Sequence, residues 1–207
     1  MKNLLNYQST EFDCGPVSLL NAFRYLFERE ELPPDLAKFI MLYCNDAHNT
    51  KGEIGKHGTS CAAMRFMASF LNDFSMGRNF PVYCKFLGRQ DVAFEKGHRI
   101  YNFIKNGGVV VLRLYIDVAH YVLLTEIEDD HVLMFDPYYE ELDDPEFDTL
   151  YFQDGIEFIL DQPKKANRRI SFDRLNQITE GYYHMGPVID REAILIERTN
   201  PEPIKQK

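Results

Sequence analysis

The segment HYVLLTEIEDDHVLMFD, His120 to Asp136, decides the fold. It holds two runs rich in β-branched and apolar residues, His120 to Ile127 and His131 to Phe135, with an acidic turn among Glu128, Asp129 and Asp130. Two such runs joined by a few turn residues read as an antiparallel hairpin. A third run, Val109 to Ile116, follows the Gly107-Gly108 break, so this half of the chain reads as an antiparallel sheet. A turn centred on Glu128 sets His120 opposite Asp136, Val122 opposite Met134 and Leu124 opposite Val132. Directly opposed residues have Cβ atoms about 4.5–5.5 Å apart, within reach of an imidazole to carboxylate hydrogen bond. A slip of one residue would pair His120 with Pro137 instead, so the contact depends on the register.

Upstream of this sheet the apolar period is helical. Val17, Leu19, Leu20, Phe23, Leu26 and Phe27 recur at three- and four-residue steps, predicting a helix from Pro16 to about Glu28. Its entry, Asp13-Cys14-Gly15-Pro16, suits a helix start, where the N–H that proline lacks would be unpaired anyway. Further helices are expected at Asp35 to Tyr43, at Cys61 to Leu71 behind the Gly58-Thr59-Ser60 cap, and at Val92 to Asn106, with a polar loop from Asn45 to Gly58. Val82 to Leu87, Phe158 to Leu160 and Ala193 to Ile196 read as strands, and a short helix follows Ser171. Helices first and strands later predict an α+β fold, N-terminal helices packed on a C-terminal antiparallel sheet, as a single domain over residues 1–207.

Composition excludes several classes of function. The 207 residues carry 32 acidic and 23 basic side chains, a formal charge of −9, which argues against nucleic acid as a partner. Acidic clusters at Glu126 to Asp130 and Glu140 to Asp148 read as solvated surface. The longest apolar stretch, Val109 to Ile116, contains Arg113 and falls far short of the roughly 18 residues of a membrane span. Cys14, Cys44, Cys61 and Cys84 are widely spaced with no C-x-x-C, and Met1 to Asn6 lacks a secretory apolar core, so the expected compartment is the reducing cytoplasm.

Cysteine attacks as its thiolate, which the partial positive charge of a helix N-terminus favours. Cys14 has that position; Cys61 also begins a predicted helix, so position alone leaves both as candidates. Gly15 removes bulk where a substrate backbone would approach. Cys14, His120 and Asp136 then supply a nucleophile, a general base and the acid that orients it. Gln8, six positions before Cys14, reads either as a surface residue or as an amide donor to an oxyanion beside the Cys14 N–H. Asp13 is expected to cap the helix rather than act as a second acid. Tyr115, Tyr121, Tyr138 and Tyr139 bracket this region, as packing or as the walls of a groove. Cys44, His48, His57 and Cys61 form C-x3-H-x8-H-x3-C, a ligand-like set that the apolar faces around both cysteines disfavour, so no metal is expected. Cys84 reads as packing, and His98, His131 and His184 as exposed.

The run Gln8 to Pro16, Gly58-Thr59-Ser60, Gly107-Gly108, His120-Tyr121-Val122 and Asp136-Pro137 together resemble the papain-like bacteriocin-processing cysteine peptidases, in the same order and spanning Gln8 to Pro137. The tail is similar to a stand-alone, peptidase-like branch. The resemblance implies a papain-like fold with Cys14 as nucleophile, His120 as base, Asp136 as its orienter and Gln8 in the oxyanion hole. It favours Cys14 over Cys61. The best-known members cleave double-glycine leaders as part of a peptide exporter; this chain has no G-x-x-x-x-G-K and no membrane portion. The expected activity is a cysteine peptidase or an amide or thioester hydrolase acting on a peptide or small substrate without a cofactor. The alternatives are an acyltransferase or peptide ligase using the same residues, or a non-catalytic binding module.

Overall fold

The structure, a computed structural model, describes residues 3–139 and 153–199; the acidic stretch Glu140 to Asp148 lies outside them. Its centre is a seven-stranded sheet: β1 (Val82–Gly88), β2 (Val109–Tyr115), β3 (Ala119–Glu128), β4 (His131–Phe135), β5 (Ile156–Phe158), β6 (Arg168–Ser171) and β7 (Glu192–Arg198). The spatial order is β1-β7-β2-β3-β4-β6-β5, and every neighbouring pair is antiparallel. Three helices, α1 (Cys14–Leu26), α2 (Pro34–Cys44) and α3 (Cys61–Arg78), precede it in the chain. They bury Phe23, Met64, Met67 and Leu71 against Val109, Val111, Leu123 and Ile194. The other face, with Val110, Leu112, Val122 and Leu195, is covered by α4 (Arg99–Lys105), α5 (Phe172–Leu175) and their flanking segments. Odd and even residues of β2 therefore both enter a core, which is why its sequence is continuously apolar rather than alternating. The architecture is mixed helix and antiparallel sheet, as expected.

The hairpin differs from its expected register. Its turn is the two-residue Asp129-Asp130, with Asp129 in the left-handed region at φ 54°, and the ladder pairs Glu128 with His131. The register shifts between Leu124 and Glu126, beyond which Leu124 faces Met134 and Leu123 faces Phe135. A bulge inserts an extra residue on one strand, which no symmetric turn count includes. Continuing this register sets Asp136 across from Val122 rather than His120.

Other boundaries moved for local reasons. Of the helix expected over Val92 to Asn106, only Arg99–Lys105 is α-helical. Val92 and Phe94 are buried in an irregular segment whose Phe94 N–H and carbonyl are both bonded to the Asn176 side chain, at 3.0 and 2.6 Å. That distant amide replaces the helical hydrogen bonds. Helix α3 runs past Leu71 to Arg78 and stops at Asn79, which is left-handed. Strand β5 lies slightly upstream of its expected place, and β6, with two arginines in four residues, was not expected.

Candidate active site

The segment before α1 is clamped from both sides. The Asn21 side chain, on α1, pairs with the backbone of Asn6 through two 2.8 Å hydrogen bonds. Two residues on, the Gln8 N–H donates to the Pro137 carbonyl at 2.8 Å. Gln8 is thus tied beside the residue that follows Asp136, and its Oε1 is buried without a hydrogen-bond partner among the described residues. The Tyr7 ring packs on Phe135 and Tyr139, closing the same corner.

Cys14 is the first residue of α1 and is 6% exposed. The first N–H groups of a helix have no partner within it. Asp13 does not satisfy them: its side chain makes no capping hydrogen bond, contrary to expectation, and the first turn holds no acidic residue. The Asp13 backbone carbonyl accepts from Val17 and Pro16 has no N–H, which leaves those of Cys14 and Gly15. One helical turn on from Cys14, on the same face, Ser18 donates its hydroxyl to the Tyr121 carbonyl at 2.9 Å. That bond fixes α1 to β3 at the residue next to His120. Gly15 has a different role from the one expected. A Cβ there would lie 2.3 Å from Thr59 Oγ1, so the missing side chain makes room for the chain's own Thr59 rather than for a substrate. Ser60 caps α3 through the Ala63 N–H and is itself held by Asp46, which fixes the Thr59 loop.

His120 and Asp136 meet despite the altered register. The His120 Nε2 to Asp136 Oδ1 distance is 2.7 Å, with the residues 3% and 2% exposed. Cys14 is the other group whose side chain acts on this imidazole. Burial opposes charge on the imidazole, but the Asp136 charge and hydrogen bond, with Cys14, outweigh it and raise its pKa to about 10. Burial likewise opposes charge on Asp136, and His120, Arg168 and the Tyr138 N–H outweigh it and hold the carboxyl below its ordinary value.

Asp136 is the most heavily bonded group in the site. Its Oδ1 also accepts from the Tyr138 N–H at 2.8 Å, and its Oδ2 accepts from the Tyr183 hydroxyl at 2.9 Å. Asn167 holds its backbone at both N–H and carbonyl, at 2.7 and 2.8 Å. Arg168 donates from Nε to the Tyr183 hydroxyl at 3.0 Å and stacks on Phe158. Tyr183 has φ 56°, a conformation that favours glycine; backbone bonds from Tyr183 to Tyr115 and from Tyr115 to His184 hold it there. Burial, first, and the Asp136 charge push its hydroxyl well above its usual pKa, so it remains a neutral donor. Asn167, Arg168 and Tyr183 escaped the sequence reading because no local pattern links them to Asp136. The αL tyrosine has no signature in the sequence.

The other sequence candidates lie apart from these residues. Cys44 and Cys84 are buried in the helix-side core. Cys61 is exposed, and burial of its thiol, then a hydrogen bond to Glu192, raises its pKa to about 11. Among the described residues Cys44, His48, His57 and Cys61 do not converge into a metal-holding group. Of the four tyrosines, Tyr115 and Tyr121 are buried and Tyr138 and Tyr139 are exposed. Tyr121 donates to the buried Glu192. His184 is half-buried against Thr179, not exposed, and His131 opens β4 bonded to Asp130.

Searches against family models and against curated proteins each give no match. Among solved structures the chain is similar to a double glycine motif protease from an AMS/PCAT transporter, crystallised with its leader peptide. The TM-score is 0.45 at 11% identity, over 96% of this chain and 94% of that one. No helix among the described residues is long and apolar enough to cross a membrane.

Proposed function

We propose that this chain is a cysteine peptidase, or an amide or thioester hydrolase, of papain-like architecture, in which Cys14, His120 and Asp136 form a triad. The observation that carries the reading is the buried 2.7 Å hydrogen bond between His120 and Asp136, with Cys14, at a helix N-terminus, acting on the same imidazole. An imidazolium held charged by Asp136 is the counter-ion a thiolate requires. The sulfur attacks the substrate carbonyl, and the oxyanion is met by the Cys14 N–H and the Gln8 amide. Collapse breaks the carbonyl bond to the leaving group, which takes the proton from His120. Water, deprotonated by His120, then cleaves the thioester and restores the thiol. An amine or thiol in place of water would make the same acyl-enzyme a transferase. No cofactor enters these steps. Four unpaired cysteines fit a reducing, cytoplasmic setting.

Iodoacetamide labelling followed by mass spectrometry tests the reading. At about pH 6–7 Cys14 is expected to label fast, and ahead of the more exposed Cys61, with the effect abolished in His120→Ala. Slow, equal labelling of all four cysteines overturns it.

A further inference from the structure

A pocket of about 430 Å³ opens between α3, β1, β2 and the segment before β7, and its charge contrasts with that of the chain. Its wall includes Thr59, which packs on Gly15 next to Cys14, and the exposed Ala119, next to His120. One wall residue thus meets the neighbour of Cys14 and another is the neighbour of His120, while neither Cys14 nor His120 itself lines the pocket. In a chain of net charge −9 it is lined by four arginines, Arg65, Arg89, Arg113 and Arg191, against two carboxylates, Asp190 and Glu192.

Most of these groups are already engaged. Arg191 donates to the carbonyls of Gly186, Val92 and Asn176 and acts as a strut. Arg113 donates to the Asp190 carbonyl and the Tyr115 hydroxyl, 4.0 Å from Glu192. Glu192 is buried and accepts from Tyr121. Asp190 accepts from the Tyr115 hydroxyl at 3.4 Å. Arg65, whose guanidinium acts on the Cys61 thiol, and Arg89 are exposed and, among the described residues, not tied up by carboxylates. The Arg65 guanidinium lies over the Phe86 ring, 4.9 Å from its centre, which steadies a planar fork suited to a carboxylate. Arg89 is left-handed at φ 59°, with its N–H fixed to the Arg191 carbonyl at 2.7 Å.

We propose that this pocket is an anion-recognising subsite, in which Arg65 and Arg89 select substrates bearing a carboxylate close to the attacked carbonyl. An extended peptide advances about 3.3–3.6 Å per residue, so a pocket whose wall includes the residues flanking Gly15 and His120 serves a position within a few residues of the scissile bond. Overall charge alone would favour basic peptides; the local field reverses that preference, because a cleft focuses the charge of its own walls. The substrate class rests on the hydrolase reading; the anion site does not.

Two measurements separate these claims. The first compares alkylation by iodoacetate, an anion, with alkylation by neutral iodoacetamide, in wild type and in the Arg65→Glu/Arg89→Glu double variant. The iodoacetate to iodoacetamide rate ratio is expected to fall about tenfold or more in the variant, at Cys14 and at the pocket's own Cys61, and to fall with added salt in wild type. Cys61 reports the pocket even if Cys14 proves unreactive, in which case only the hydrolase reading is lost. An unchanged ratio at both cysteines overturns the anion site. The second maps the cleavage positions in a proteome-derived peptide library. Enrichment of Asp or Glu at one fixed position near the cut, lost in the double variant, supports selection of side chains. Cuts confined to the last residues of free-acid peptides, and lost from amidated ones, assign the carboxylate to a chain terminus. Cleavage with neither pattern overturns the specificity.

Discussion

The two ends of the proposed triad are built differently. At the thiol end, Cys14 owes its position to α1 itself, with one hydroxyl bond from Ser18 to β3 and the contact of Gly15 with Thr59. At the acid end, Asp136 lies past the end of β4 and is gripped by Tyr138, Asn167 and Tyr183, the last two drawn from far along the chain. The thiol end is local and sparsely bonded; the acid end is long-range and densely bonded. A buried carboxylate is costly unless every oxygen lone pair finds a donor, whereas a thiol is tolerated in apolar surroundings. The chain therefore concentrates its polar bonds where the desolvation cost is greatest.

Breaking the acid end has the larger expected effect. Asp136→Asn keeps the shape but removes the charge that holds His120 protonated, and hydrolysis of a reporter substrate should fall by about 10²- to 10⁴-fold. The same variant tests the linkage to pH. His120, raised from 6.5 to about 10, contributes stability that is complete below pH 6.5 and lost as pH rises to about 10. Asp136, held below 3.8, contributes stability that is present above that value and lost in acid. Wild-type melting temperature should therefore decline from pH 6.5 to 10, and that of the Asp136→Asn variant should be flatter over the same range.

Next comes Tyr183→Phe, which deletes one donor to Asp136 and one acceptor for Arg168 while keeping the ring. Urea titration should show a loss of about 1.5–3 kcal/mol. A loss near zero would mean that the acid end is over-supplied with donors. The smallest effect belongs to the thiol end. Gly15→Ala drives a methyl into Thr59 and should cost about 1–3 kcal/mol, largely recovered when Thr59→Ala is added. Additive losses in that double variant would show that Gly15 matters for another reason.

The same contrast explains what the sequence reveals. Periodicity identified α1, α2 and the central strands because their apolar patterns answer directly to two cores. Cys14 at a helix start was legible from Gly15-Pro16 alone. The contact of His120 with Asp136 was legible as a pairing of residues but not as geometry. The tight Asp129-Asp130 turn and the bulge after Leu124 shifted the register, and a diagonal approach took the place of a direct one. Asn167, Arg168 and Tyr183 were illegible because each acts across more than ten residues of chain through tertiary contacts. Val92 to Gly97 misled for the same reason, since the amide of Asn176 outcompetes the helix. The charge of the pocket wall was hidden too, because Arg65, Arg89, Arg113 and Arg191 come from separate elements.

The place of β7 bears on how the protein is made. It comes last in chain order among the described strands, yet it sits between β1 and β2 and carries the Glu192 to which Tyr121 is bonded. While the chain emerges from the ribosome, β1 and β2 each wait with an open edge, unable to bridge to one another until residues 192–198 arrive. Such an interval invites strand pairing with a neighbouring chain. The Tyr183 hydroxyl that holds Asp136 reaches the exit only shortly before, so a nascent chain would carry its thiol long before it carries a finished site.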